Sequence, residues 1–267
     1  MEALAERMAA ARPLRVHRAV DVTPGWYGWN NDYTMDCLRG NEDWLAVCVL
    51  CDPIGEEGAG QLARLVGEGA SAVRIQPPVT GPLTDPRQTP IWSAAASLGI
   101  TVQVNLPERF DAASLPKTQG QFAPDLPGHA QVAQRAREHP DTPIVLDHCG
   151  WLSGGNPNPP SVAPLLELAR IPNVYPKLSF YSALGSAPFR EAQPLMRQLV
   201  DAFGAERCVG LACTTAGVTD QATYDAAVRL FAQDFPCTEA ERGWLLGGTA
   251  LKLWRWKNRE AAQTNRL

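Results

Sequence analysis

Asp147 and His148 stand at the end of Ile144-Val145-Leu146, a short apolar run between Pro143 and Gly150. A histidine at such a position can take a proton from water, with Asp147 or a backbone carbonyl holding its other nitrogen. Arg74 lies in a second apolar run, Ala72-Val73-Arg74-Ile75, and its guanidinium can grip a substrate carboxylate in two-pronged fashion. Lys177 follows Pro176 near a third run and can polarise a carbonyl. A base, two cations and a pocket that excludes bulk water are what hydrolysis of an activated ester such as a lactone needs. Each residue also has a structural reading. Asp147 and His148 can cap a strand, and Arg74 and Lys177 can be rim ion pairs or solvated charges.

Short apolar runs alternate with helical patterns along the chain. Strands are expected at Val16–Val22, Leu45–Cys51, Ala72–Gln76, Thr101–Asn105, from Ile144, at Asn173–Ser179 and at Cys208–Ala212. Helices are expected at Gly60–Glu68, Ile91–Leu98 with a Gly99 cap, Gly128–His139, Val162–Arg170, Ala187–Phe203, Asp220–Gln233, Thr238–Leu246 and Thr249–Asn258. Thr238 and Glu241 have the spacing of a capping box. Pro176 counts against the sixth strand because it cannot donate to a ladder. The alternation predicts parallel βαβ units: a TIM-barrel-like (β/α) barrel, with seven strands recognisable against the eight of a closed barrel, in one domain over 1–267. Ligands of such folds bind at the C-terminal ends of the strands, where Asp147 and His148 fall.

Composition narrows the function. The formal charge of −4 and the lack of a basic face argue against nucleic acid, and no apolar run is long enough for a membrane span. No secretory signal is read, and the acidic Glu2 and Glu6 argue against a transit peptide. Seven cysteines are an odd number for a disulfide framework and lie largely in apolar runs, which points to buried thiols in the cytoplasm or another reducing compartment. Cys48 and Cys51 form a C-x-x-C, but in a strand they would face opposite sides, so zinc is not expected there. Trp26, Tyr27 and Trp29, with Tyr181, can line an apolar pocket over the barrel mouth, or simply pack over it.

In order, Val145–Gly150, Asn173–Ser179, Phe203–Arg207 and Leu246–Ala250 resemble the amidohydrolase-related (amidohydrolase 2) family, as do Ala72–Ile75 and Asn30–Tyr33. The resemblance spans roughly 20 to 255 and implies a TIM-barrel hydrolase or decarboxylase, with lactone hydrolases among the relatives. Family members often bind a divalent metal such as zinc. The departures are specific. A first strand ending in His-x-His is expected to be missing, Asn105 stands where the family has a further histidine, and Cys213 stands where it has an aspartate. Of the family's polar set His148, Arg74 and Lys177 remain. His148 with Cys213 makes only two good ligands, so no metal and no cofactor are expected. Cys213 beside His148 can be a nucleophile, or a small buried hydrophobe.

The expected activity is therefore hydrolysis of a small carbonyl compound. Catalysis is assigned to His148, Asp147, Lys177 and Cys213, and substrate binding to Arg74, Asn105, Trp26, Tyr27 and Tyr181. The alternative is a catalytically degenerate or truncated barrel that binds without turnover. An unclosed barrel would expose strand edges, which predicts a compensating segment or pairing with another copy as a homo-oligomer.

Overall fold

The computed structural model describes residues 16–77, 81–106, 128–151, 162–179, 186–210 and 220–256. Six strands form one all-parallel sheet in chain order: β1 (Ala19–Val22), β2 (Leu45–Leu50), β3 (Ala72–Ile75), β4 (Thr101–Val104), β5 (Ile144–Leu146) and β6 (Val174–Pro176). The expected first strand is shorter than its pattern, so His17 precedes the sheet instead of lying in it. Between and after the strands come α1 (Asp32–Leu38), α2 (Gly58–Gly67), α3 (Thr89–Leu98), α4 (Gly128–Glu138), α5 (Val162–Glu167), α6 (Gln193–Phe203), α7 (Gln221–Arg229), α8 (Glu239–Gly243) and α9 (Thr249–Leu253). The architecture is a TIM-barrel-like α/β fold, with six strands described where seven are expected. At the seventh position Val209 makes a single parallel bridge to Lys177, and residues 211–212 lie outside the described part.

Strand alternation separates two cores. Val47, Val49, Val73, Ile75, Val102, Val104, Ile144 and Leu146 face the helices and join the larger cluster. Their neighbours Ala46, Cys48, Ala72 and Val145 face the concave side, in a second cluster with Val209. The C-x-x-C splits as expected, with Cys48 in the inner cluster and Cys51 in the outer one. Pro176 is tolerated because its carbonyl accepts from Val209 N, whereas the β5 ladder is served by Lys177 N donating to Leu146 O. A residue's N–H and C=O point to the same side of a strand, so the missing donor faces away from β5.

The C-terminal helix departs from its pattern. It ends at Leu253 instead of Asn258, and Trp254 is extended. Trp254 and Trp256 then pack into the inner cluster, where Ala46 and Ala72 leave room for the indoles. Thr101 Oγ1 donates to the Leu253 carbonyl at 2.5 Å, and Arg255 donates to the carbonyls of Leu98 and Gly99. These partners precede or begin β4, so the segment crosses the N-terminal end of the sheet. Tertiary burial has overridden helical spacing. The capping box at Thr238 and the left-handed cap at Gly99 are both present.

Candidate active site

The inward-facing alternation that carries Ala72 and Val145 continues two residues on to Arg74 and Asp147. The concave face is apolar low down and polar at the C-terminal end. Asp147 is fully buried and gathers three donors. Arg74 Nε donates to Oδ2 at 3.0 Å, Gln103 Nε2 donates to Oδ1 at 2.8 Å, and Lys177 Nζ lies 2.5 Å from Oδ1. These groups come from β3, β4 and the residue after β6. In register, Arg74 is paired with Gln103, and Gln103 with Val145. Burial alone would raise the Asp147 carboxyl, but the Lys177 ammonium and the Arg74 guanidinium outweigh it and bring the pKa down to about 2. Asp147 is therefore an ionised anchor with both oxygens engaged. One carboxylate against two cations leaves the cluster with a net positive charge.

His148 is adjacent, also buried, with its Nδ1 2.7 Å from the Ser179 hydroxyl. The Ser179 backbone carbonyl also accepts from the ring. Of the two expected holders of His148, carboxylate or backbone carbonyl, the second is present, joined by a hydroxyl. Burial first and the Lys177 ammonium next push the imidazole down to about 4, so it is neutral at pH 7. His148 and Cys149 both have left-handed backbones, φ 49° and 54°, which non-glycine residues adopt at some cost. Cys149 Sγ donates to the Lys177 carbonyl at 3.3 Å, tying this turn to the end of β6.

The expected residues divide clearly. His148, Asp147, Lys177 and Arg74 converge. Asn105 follows β4, two residues beyond Gln103, and its N–H donates to Ile75 O. Trp26 and Tyr27 occupy a 3₁₀ turn after β1 and are 80% and 45% exposed, with Tyr27 stacked on Tyr33. They form an exposed aromatic patch in the turn whose Gly25 packs against Gln76, just beyond the C-terminal end of β3. Cys213 and Tyr181 lie outside the described residues. Gln103 and Ser179 were not anticipated. The pairing of Gln103 with Arg74 in strand register was the available signal; nothing in the sequence announces the contact of Ser179 with His148.

A resident divalent metal does not fit the described residues. No group of three His, Cys, Asp or Glu is placed to hold one. The Asp147 carboxylate is committed to two cations, which would repel a third.

The amidohydrolase family profile matches residues 1–256. No curated protein matches the chain in sequence. Among solved structures, a probable 2-pyrone-4,6-dicarboxylic acid hydrolase of Acinetobacter baumannii, solved with citric acid bound, aligns with TM-score 0.71 at 16% identity, over 94% of this chain and 87% of that one. An amidohydrolase of Burkholderia multivorans with bound zinc aligns with TM-score 0.69 at 19% identity, over 94% and 87%. The 5-carboxyvanillate decarboxylase of Sphingomonas paucimobilis aligns with TM-score 0.61 at 15% identity, over 94% and 83%. At these identities the structures speak for the fold, whereas the profile covers nearly the whole length, and the chain belongs to the amidohydrolase family.

Proposed function

We propose that this chain hydrolyses a small anionic carbonyl compound, a lactone being the reading favoured, without a resident metal. The single observation that carries it is the convergence of Arg74 and Lys177 on buried Asp147 beside a neutral His148. The excess positive charge attracts a carboxylate, and Arg74 is positioned to take it, since Nε alone is used by Asp147. Lys177 polarises the scissile carbonyl and stabilises the oxyanion that forms there. With Nδ1 held by Ser179, His148 Nε2 takes a proton from the attacking water. The water oxygen bonds to the carbonyl carbon, the ring C–O bond breaks, and His148 returns the proton to the leaving alkoxide. The product is a hydroxy acid.

Steady-state turnover of a lactone panel, with and without a second carboxylate, tests this. Turnover is expected with carboxylated lactones and is lost in His148→Asn. Arg74→Met is expected to raise KM for carboxylated substrates selectively. Binding of carboxylated lactones with no turnover would make the chain a binding protein of this family instead.

A further inference from the structure

Gln103 has a second polar atom that the hydrolysis above leaves unused. Its Nε2 donates to Asp147 Oδ1 at 2.8 Å, and a carboxylate only accepts, so the orientation of the amide is fixed. Oε1 is then left buried without a hydrogen-bond partner, on a side chain whose residue is 1% exposed. Buried acceptors without partners are rare in folded proteins, because the desolvation cost goes unrecovered. Gln76 repeats the pattern. It follows the end of β3, two residues beyond Arg74, and its Nε2 is also buried and unpartnered. Gly25 packs against it so closely that a Cβ there would sit 3.1 Å from Gln76 Oε1.

We propose that Gln103 determines specificity by accepting, through Oε1, a hydrogen bond from an O–H or N–H group of the substrate. This rests on the anion-binding reading of the Arg74–Lys177 pair. The two cations offer donors only, and the Asp147 oxygens already receive three donors. Within the Asp147 cluster, the acceptor left for a ligand donor is therefore Gln103 Oε1. The substrate class narrows from an anionic carbonyl compound to one that carries a hydroxyl or amino group near its carboxylate. A site built to hydrogen-bond such a group rejects the analogue lacking it, because the protein atom is then left unpaired.

Calorimetric titration of the full chain with malate and succinate, which differ by one hydroxyl, tests the assignment. Malate is expected to bind about tenfold or more tightly than succinate. In Gln103→Met that ratio is expected to fall to about one, with succinate still bound. Citrate against tricarballylate, again differing by one hydroxyl, gives an independent wild-type ratio should Gln103→Met not fold. Equal wild-type affinities within both pairs would mean that Oε1 holds a buried water only; the inference would fail and the anion reading would stand. Binding of none of the four anions would overturn the anion reading, and this inference with it.

Discussion

The Ser179 hydroxyl lies 2.7 Å from Nδ1 of His148, with both residues buried at the C-terminal end of the sheet. This contact assigns the two ring nitrogens different tasks. Ser179 holds the ring at Nδ1, and Nε2 is the atom proposed above to take the proton. Ser179→Ala is expected to lower kcat by about tenfold to a hundredfold with little change in KM, since a misoriented base loses much of its effect. Ser179→Thr, which keeps the hydroxyl, should restore part of the loss. Equal losses in both variants, with lowered melting temperatures, would reduce the contact to packing.

Asp147 anchors two cations whose side chains are themselves only 13% and 10% exposed. Asp147→Asn leaves Arg74 and Lys177 buried without a counter-charge and is expected to destabilise the fold by about 3–5 kcal/mol. Chemical denaturation measures this directly. A change under about 1 kcal/mol would show that the cations are solvated well enough to do without their anchor.

Acid should destabilise the protein in two stages. His148 has its folded pKa lowered to about 4, from the ordinary histidine value of about 6.5. The unfolded chain therefore binds more protons below pH 6.5, and stability falls as pH drops from there towards 4. Asp147, lowered to about 2 from 3.8, contributes stability that is full above its unfolded value and is lost as pH falls from about 4 towards 2. Denaturation midpoints across this range should show both stages. In His148→Asn the upper stage should be reduced and the lower one kept; an unchanged upper stage would contradict the assignment.

Trp254 closes the N-terminal end of the barrel interior against Ala46 and Ala72. Trp254→Ala is expected to cost about 3–5 kcal/mol, as for other buried aromatics. A loss well under 1 kcal/mol would mean that the segment only rests on the sheet.

Most of the sheet was readable because strands buried on both faces must be apolar, and Leu45–Leu50 and Ile144–Leu146 are. The positions of Arg74, Asp147 and Lys177 were readable for the same reason, since a charge ending an apolar strand has few places to go. Asp147 as an anchor for both cations was not readable. Its partner Arg74 is 73 residues away, and only the register of β3 to β5 brings the two together. The end of α9 was misjudged because helical spacing cannot reveal that Trp254 and Trp256 find more burial beneath the sheet than in another helical turn.

The pH dependence of kcat/KM on a carboxylated lactone, in the wild type and His148→Asn, tests the central claim most directly. A neutral His148 acting as the base predicts a wild-type profile that rises through an acid limb near pH 4 and is level at neutral pH, with that limb and most of the rate gone in the variant. Turnover that keeps the same rate and the same limb without the imidazole would contradict it.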